Sequence, residues 1–353
     1  MEAFVEKIIS QFFPEKIEGI YFGSPLIQYL DKKSGAIHGG SKTRRSLANY
    51  YAIYSLVCLY IEDFYEKPEA YSRFSGYEFS RLLEFCRRLY GGSKLQNHAL
   101  NSRVNGEFRN KLHENHDLIV CREGRYYLDQ RYLFVADTDI SKVVKAIIDE
   151  YIRLLIEKDA RLLYDLRRLS FSSSLEERQK MLSQLLSEGS EARIFEILAF
   201  SILKRHYSHQ SILIGETEDT LCKRCLQLYK TGQTNANDGG IDFVLRPLGR
   251  FFQVTEVSVL GKYLLDIDKV LHFPVTFVIK TSRKKEDVVA SMCQYIAAQC
   301  QGDLMLRQRY EKAIEDVIVL DDLKDMLYQF DASDIQKVIE NMEFYYKLEL
   351  NLS

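Results

Sequence analysis

Apolar and polar positions along the chain follow two different periods, and each period predicts a different element. Spacings of three and four residues predict helices over 48–65, 77–90, 140–168, 190–207 and 284–300. Between the last two helices, runs rich in Val, Ile and Phe predict strands. These runs are SILIGE, GGIDFVLRP, RFFQVTEVSV and FPVTFVIKT. The first half is therefore predicted to be mainly helical, and the second half to be an α/β core with a mixed central sheet.

The run SFSSS at 170–174 interrupts the helical period with small polar residues and predicts a domain boundary. A chain of 353 residues also exceeds the usual span of one core. We therefore predict domains at 1–170 and 171–353, the second ending in a helical tail from Arg307 to Leu348. Asp331 and Ser333 are predicted to cap the last helix of this tail, and its amphipathic helices suggest a dimer contact.

The first domain contains an order of elements typical of DNA-binding proteins. The helix YEFSRLLEFCRRLY is followed by a GGS turn, a second helix KLQNHALNSRVNGEFRNKL, and two short strands around Gly124. This order predicts a winged helix-turn-helix. The second helix is rich in side chains that pair with base edges, and the loop GAIHGGSKTRRS offers cations to phosphates. The predicted DNA contacts are Lys42, Arg44, Arg45, Lys94, Gln96, Asn97, Asn101 and Arg103.

The segment NDGGIDFVLRPLGRFFQVTEVSV in the second half carries the candidate chemistry. Asp242 begins a short apolar strand after two glycines, which let the backbone turn tightly and leave the carboxylate accessible. Gln253 lies eleven residues later, in a second strand that is joined to the first through Pro247 and Gly249. A hairpin would bring the two side chains close together.

Glu196 lies upstream in ARIFEILAFSIL, a helix that is apolar on nearly every side. Burying an unpaired carboxylate costs several kcal/mol, so a compensating cation or metal is expected there.

A helical Glu, an Asp at a strand start and a Gln on the next strand resemble the PD-(D/E)xK nuclease superfamily, over roughly residues 188–300. The resemblance implies a type II restriction endonuclease that hydrolyses double-stranded DNA at a short specific sequence and leaves 5′-phosphates. It implies Mg²⁺ as cofactor, with Asp242, Gln253 and Glu196 as metal ligands. It also implies a homodimer, since two-fold symmetry of the protein matches a palindromic site.

Thr255 stands where the family has a lysine that orients the attacking water, which leaves open which group does this here. The Thr255 hydroxyl can position the water, and Glu256, Lys262 and Lys280 are further candidates. Alternation along a strand places Glu256 on the face opposite Gln253, which weakens its case.

Composition narrows the remaining classes of function. A net charge of −2 gives no global signature of nucleic-acid binding, so DNA contacts must come from local basic clusters. Neither a bilayer-spanning apolar run nor a secretory signal is seen, and seven scattered cysteines indicate reduced thiols. We therefore expect a cytoplasmic protein without membrane contact. The motifs of nucleotide-binding loops are absent, so no nucleotide cofactor is expected.

Three other interpretations of the sequence remain open. The chain could be a non-catalytic, sequence-specific DNA-binding protein with a degenerate nuclease fold, or a repair nuclease without sequence preference. His206, His209, Cys222 and Cys225 also have a spacing that could hold zinc.

Overall fold

The computed structural model describes residues 1–35, 45–92, 101–172, 174–232, 241–256 and 259–350. The chain divides into two compact units, Met1–Leu162 and Leu163–Ser353. The helix at this boundary continues to Ser172, into the serine-rich run at which the sequence places the domain boundary. Leu166 and Leu169 are buried and extend the apolar stripe of the helix into the serine-rich run.

The first unit is mainly helical. Its central helix carries the fully buried side chains of Tyr51, Ile53 and Tyr60, around which the others pack in one hydrophobic cluster. Ser24 caps the third helix by accepting a 3.1 Å hydrogen bond from the backbone N of Ile27. The helices are α1 (Ala3–Phe12), α2 (Ile17–Gly23), α3 (Pro25–Ser34), α4 (Arg45–Phe64), α5 (Pro68–Ser72), α6 (Phe79–Arg88), α7 (Ser102–Leu112) and α8 (Ser141–Ser172).

A three-stranded antiparallel sheet combines a strand before α6 with two strands after α7. Its strands are β1 (Tyr77–Glu78), β2 (Ile119–Arg122) and β3 (Arg125–Leu128), in the spatial order β1, β3, β2. Glu123 and Gly124 both have positive φ and form the two-residue turn that the twist of a hairpin favours. The predicted order of helix, helix and hairpin is therefore present. A second hairpin pairs β4 (Phe134–Val135) with β5 (Thr138–Asp139).

Asn105 of α7 joins this helix to the β2–β3 hairpin. Its side-chain amide donates to the Ile119 carbonyl at 2.8 Å and accepts from the Ile119 N–H at 2.9 Å, and the residue is 2% exposed. Replacing Asn105 by Ala leaves both backbone groups buried and unpaired, so we expect a loss of about 2–3 kcal/mol in the free energy of unfolding. Urea unfolding measures this. Asn110→Ala, at an exposed position of the same helix, is the control and should change stability by less than ~0.5 kcal/mol.

The second unit surrounds a sheet with helices. Ser174 and Glu177 form a capping box at the start of the first of these helices. The helices are α9 (Leu175–Leu185), α10 (Ala192–Ser208), α11 (Gly261–Lys269), α12 (Lys285–Gln299), α13 (Leu304–Ala313), α14 (Leu320–Gln329) and α15 (Ala332–Leu350). Asp331 caps α15 as predicted, accepting from the Asp334 N–H at 2.8 Å, whereas Ser333 lies within the helix.

The segment SILIGE was predicted to form a strand in the core of this unit, and its placement in the core is wrong. The strand forms as β6 (Ser211–Ile214), but it pairs with β7 (Cys222–Cys225) in a separate two-stranded hairpin. Leu213 in β6 is 64% exposed, so the strand does not contribute to the buried sheet.

The central sheet of the second unit has five strands and is mixed, as predicted. The strands are β8 (Gln227–Lys230), β9 (Phe243–Arg246), β10 (Arg250–Thr255), β11 (Val275–Ile279) and β12 (Ile314–Ile318). Their spatial order is β12, β11, β10, β9, β8. The three strands β8 to β10 are antiparallel neighbours, while β11 and β12 run parallel to β10.

The two faces of the sheet are covered by different helices. Phe243 and Phe252 face α10, where they contact Phe200 and Tyr207 at ring distances of 5.0 and 5.8 Å. Phe251 and Phe277 face the opposite side, in a cluster with residues of α11 and α12. Residues of β10 therefore alternate between a face covered by α10 and a face covered by α11 and α12.

The last helix packs onto α10 within the same chain. The rings of Phe200 and Tyr345 lie 4.9 Å apart, and Lys204 donates to Asn341 at 3.3 Å. α10 thus covers part of α15, whereas Phe344 and Leu348 of the same helix are exposed, and a dimer contact of the tail stays a prediction. None of the helices in the described residues is long and apolar enough to cross a membrane.

Candidate active site

The β9–β10 hairpin holds Asp242 against the strand that carries Gln253. Gly249 adopts φ +69° in the turn, and its N–H donates to the Leu245 carbonyl at 2.9 Å. At the open end of the hairpin the Asp242 N–H donates to the Phe252 carbonyl at 2.9 Å. The Asp242 carboxylate accepts a 2.6 Å hydrogen bond from the Val254 N–H. The predicted proximity of Asp242 and Gln253 is therefore present.

Gln253 presents a buried oxygen without a hydrogen-bond partner. The residue is 8% exposed, and its Nε2 donates to the Val254 carbonyl at 3.3 Å. Its Oε1 has no partner among the residues that the structure describes. A buried carbonyl oxygen left in this way costs about 1–3 kcal/mol, so such atoms are rare unless they serve a ligand or catalysis.

Thr255 lies two residues further along β10, on the same face as Gln253 and Phe251. It is 3% exposed, and its Oγ1 accepts a 3.3 Å hydrogen bond from Nζ of Lys262, the second residue of α11. The rest of the Lys262 side chain is exposed to solvent. The Lys262 ammonium therefore contacts Thr255, the strand position at which the sequence has no lysine.

Glu256 and Lys280, the other two candidates for that role, form an ion pair with each other. Lys280 is 7% exposed and also donates to the Ser190 carbonyl at 2.7 Å. Both residues follow positions that face α11 and α12, so alternation turns them towards the other face. Their side chains tie the ends of β10 and β11 to the segment before α10, while the Lys280 backbone N–H donates to the Thr255 carbonyl at 2.9 Å.

Glu196 lies on the face of the sheet that α10 covers, whereas Gln253 and Thr255 lie on the other face, and the role of Glu196 as a metal ligand stays a prediction. Its Oε1 accepts a 2.8 Å hydrogen bond from Nζ of Lys230 in β8. Lys230 is paired in register with Phe243, so it lies on the face covered by α10. The buried carboxylate thus has the compensating cation that its burial demands, and that cation is a lysine.

The remaining oxygens fit a magnesium ion better than a transition metal. Within the described ranges, no group of three or more His, Cys, Asp or Glu side chains could hold a metal. Asp242 and Gln253 offer one carboxylate and one amide oxygen. Mg²⁺ commonly binds proteins through one or two carboxylates and keeps water or substrate phosphate as its other ligands. The donor set is sufficient for an ion of this kind.

The four candidates for zinc are not assembled into a site. His209 pairs with Asp334 at 3.1 Å, and His206 lies 3.0 Å from Gln210. Cys222 and Cys225 are exposed at the two ends of β7, where an odd spacing directs them to opposite faces.

Most of the predicted DNA contacts fall outside the described residues. These are Lys42, Arg44, Lys94, Gln96 and Asn97, together with the side chain of Arg45. The second helix of the pair begins at Ser102, so Asn101 precedes it at the cap position and is half-buried. Arg103 is exposed on α7, where its Nε lies 3.4 Å from Glu107.

The solvent face of α7 also contains polar residues that the sequence prediction missed. Val104, Asn105 and Phe108 are buried, which turns Ser102, Arg103, Arg109 and Asn110 outwards. Arg122, next to the hairpin turn, is exposed as well. The apolar period of this helix, had it been used to separate its two faces, would have identified Arg109 and Asn110.

A scan against protein-family models, a search of curated proteins and a search of solved structures each found no match to this chain. The function of the site must therefore be inferred from the residues of this chain and their geometry.

Proposed function

We propose that this protein is a Mg²⁺-dependent endonuclease that cuts double-stranded DNA at a short specific sequence, in the manner of a type II restriction enzyme. The observation that carries the proposal is the β9–β10 hairpin. The Asp242 carboxylate accepts from the Val254 N–H, and the preceding residue, Gln253, has a buried Oε1 without a hydrogen-bond partner among the described residues. One carboxylate and one amide oxygen on adjacent strands are the kind of ligands that Mg²⁺ uses together with water and substrate phosphate.

Each residue of this site has a distinct role in the proposal. Asp242 supplies the negative charge that holds the metal, and its hydrogen bond from the Val254 N–H fixes the carboxylate in place. Gln253 contributes its buried carbonyl oxygen. Thr255 offers its hydroxyl for the attacking water. When bound, Mg²⁺ polarises the phosphate and lowers the pKa of a bound water molecule.

Glu196 supports the sheet in this proposal, and does not bind the metal. Its ion pair with Lys230 joins α10 to β8, the neighbour of the strand that follows Asp242. Loss of the pair would act on cleavage only through the stability of the second unit.

Recognition of DNA is proposed for the first unit. The helix pair α6 and α7, followed by a hairpin with β1 as third strand, has the element order of a winged helix. Exposed Arg103, Arg109 and Asn110 on α7 are residue types that pair with base edges in the major groove. Arg122 at the hairpin turn is suited to a phosphate contact.

A homodimer on a palindromic site remains part of the proposal, because two-fold symmetry of the enzyme cuts both strands at equivalent positions. Light scattering of the protein with and without a duplex determines the stoichiometry. A single protein copy on a cleaved duplex would contradict the dimer, but would leave the nuclease activity in place.

The direct test incubates the purified protein with phage DNA in Mg²⁺ and in EDTA. We expect discrete fragments with Mg²⁺ and intact DNA with EDTA. A smear would indicate a nuclease without sequence preference. Intact DNA in every lane, with a site-selective mobility shift that is independent of the metal, would show a DNA-binding protein that lacks catalysis.

A further inference from the structure

We infer that Lys262 of helix α11 is a catalytic residue of this nuclease and supplies the amine that the strand lacks at Thr255; this inference rests on the proposed function. The observation is the 3.3 Å hydrogen bond from Lys262 Nζ to Thr255 Oγ1. The Lys262 side chain is exposed, and this bond places its ammonium on the same face of β10 as Gln253. The neighbouring residue of the strand, Val254, donates its N–H to the Asp242 carboxylate.

The start of α11 is held tightly, so the position of Lys262 is determined by packing. A Cβ added at Gly261 would lie 2.9 Å from the Tyr295 hydroxyl, so α11 approaches α12 closely at this glycine. Tyr263 on the other side is 2% exposed, and its ring lies 5.2 Å from that of Phe277 in β11. The Lys262 side chain therefore leaves the backbone from a fixed point between two anchored neighbours.

Lys262 also differs from the other lysines near the sheet in what its ammonium contacts. Lys230 and Lys280 are buried, and each is ion-paired with a glutamate on the face covered by α10. The Lys262 ammonium meets a neutral hydroxyl, Thr255 Oγ1, and its positive charge remains available to an anionic substrate. A phosphodiester is such a substrate.

The chemical step is an ordinary hydrolysis. The water oxygen forms a bond to phosphorus, the bond from phosphorus to the 3′ oxygen breaks, the water loses a proton to solvent, and the 3′ oxygen gains one. Negative charge builds up on the leaving 3′ oxygen and the non-bridging phosphate oxygens. Lys262 stabilises that charge and orients the water together with Thr255.

The test uses the full-length protein and a duplex that contains its mapped site, in single-turnover cleavage with Mg²⁺. The variants are Lys262→Ala, Lys262→Gln, Thr255→Lys and the double variant Thr255→Lys with Lys262→Ala. Lys284→Ala, at an exposed lysine before α12, is the control. Thermal unfolding of each variant and duplex binding with Ca²⁺ in place of Mg²⁺ are measured in parallel.

We expect Lys262→Ala and Lys262→Gln to slow cleavage by about a hundredfold or more, with unchanged unfolding and binding. In the Lys262→Ala background, Thr255→Lys should raise the cleavage rate at least about tenfold, because it returns an amine to the same place. A role of Lys262 in folding alone would not produce this rescue.

Cleavage by Lys262→Ala at the wild-type rate, with Asp242→Asn inactive, would overturn the inference and leave the proposed function standing. Slow cleavage by Lys262→Ala without rescue in the double variant would also overturn the assignment to the lysine position. Absence of metal-dependent cleavage by the wild-type protein would overturn the proposed function itself, and the inference with it.

Discussion

Replacement of Asp242 by Asn is expected to reduce Mg²⁺-dependent cleavage by about a thousandfold or more, which corresponds to about 4 kcal/mol of transition-state stabilisation. In the wild type the Val254 N–H donates to the Asp242 carboxylate at 2.6 Å. An asparagine side chain keeps an oxygen that can accept this hydrogen bond. The hairpin should therefore stay folded. Only the negative charge that holds the metal is lost, and with it the ability to activate water.

The measurement compares initial cleavage rates of the wild type, Asp242→Asn and Asp242→Ala at increasing Mg²⁺. Asp321→Asn, at an exposed position of α14, is the matched control and should cleave normally. Asp242→Ala also removes the hydrogen bond to Val254, so its unfolding temperature should fall, whereas that of Asp242→Asn should not. Near-normal cleavage by Asp242→Asn would remove Asp242 from the active site.

The second large effect concerns stability. Lys230→Met removes the cation that is hydrogen-bonded to Glu196 at 2.8 Å and lies 4.0 Å from Glu349. Both side chains of the Lys230–Glu196 pair are about nine-tenths buried. Breaking a buried pair from one side leaves an uncompensated charge, so we expect a loss of about 3–5 kcal/mol in the free energy of unfolding. Urea denaturation of the full chain measures it.

The double variant Lys230→Met with Glu196→Met separates a structural from a metal-binding role of Glu196. Replacing both partners of a buried pair by apolar groups of similar size is often neutral, so stability should return close to the wild-type value. Cleavage should return as well. A stable double variant that does not cleave would show that Glu196 binds the metal after all. Lys324→Met, which breaks a pair with exposed Asp321, should cost less than ~1 kcal/mol.

The sequence predicted those strands whose apolar pattern is contained within their own residues. β9, β10 and β11 are apolar runs bounded by turn residues, and burial of their faces follows directly from that pattern. β8 and β12 were missed because both carry charged or polar residues, such as Lys230 and Asp316, that interrupt the apolar run. These strands are stabilised by their neighbours in the sheet, and a single segment does not show such pairing.

The same distinction applies to the site. Asp242 and Gln253 are joined by a short hairpin, so their proximity could be predicted from the turn alone. The direction of Glu196 could not, because it depends on which face of the sheet α10 covers. Lys262 belongs to a helix that the sequence pattern did not predict, and its contact with Thr255 exists only once α11 is packed against α12.

The packing of α15 onto α10 has a consequence for the order of folding during synthesis. The contact between Lys204 and Asn341 joins positions 137 residues apart, so α10 remains without its partner helix until α15 has left the ribosome. The first unit ends at Leu162. At ~5–20 residues per second, its residues are complete about 10–40 seconds before those that close the second unit. On the proposed function, each nascent chain is able to hold DNA before it is able to cut it.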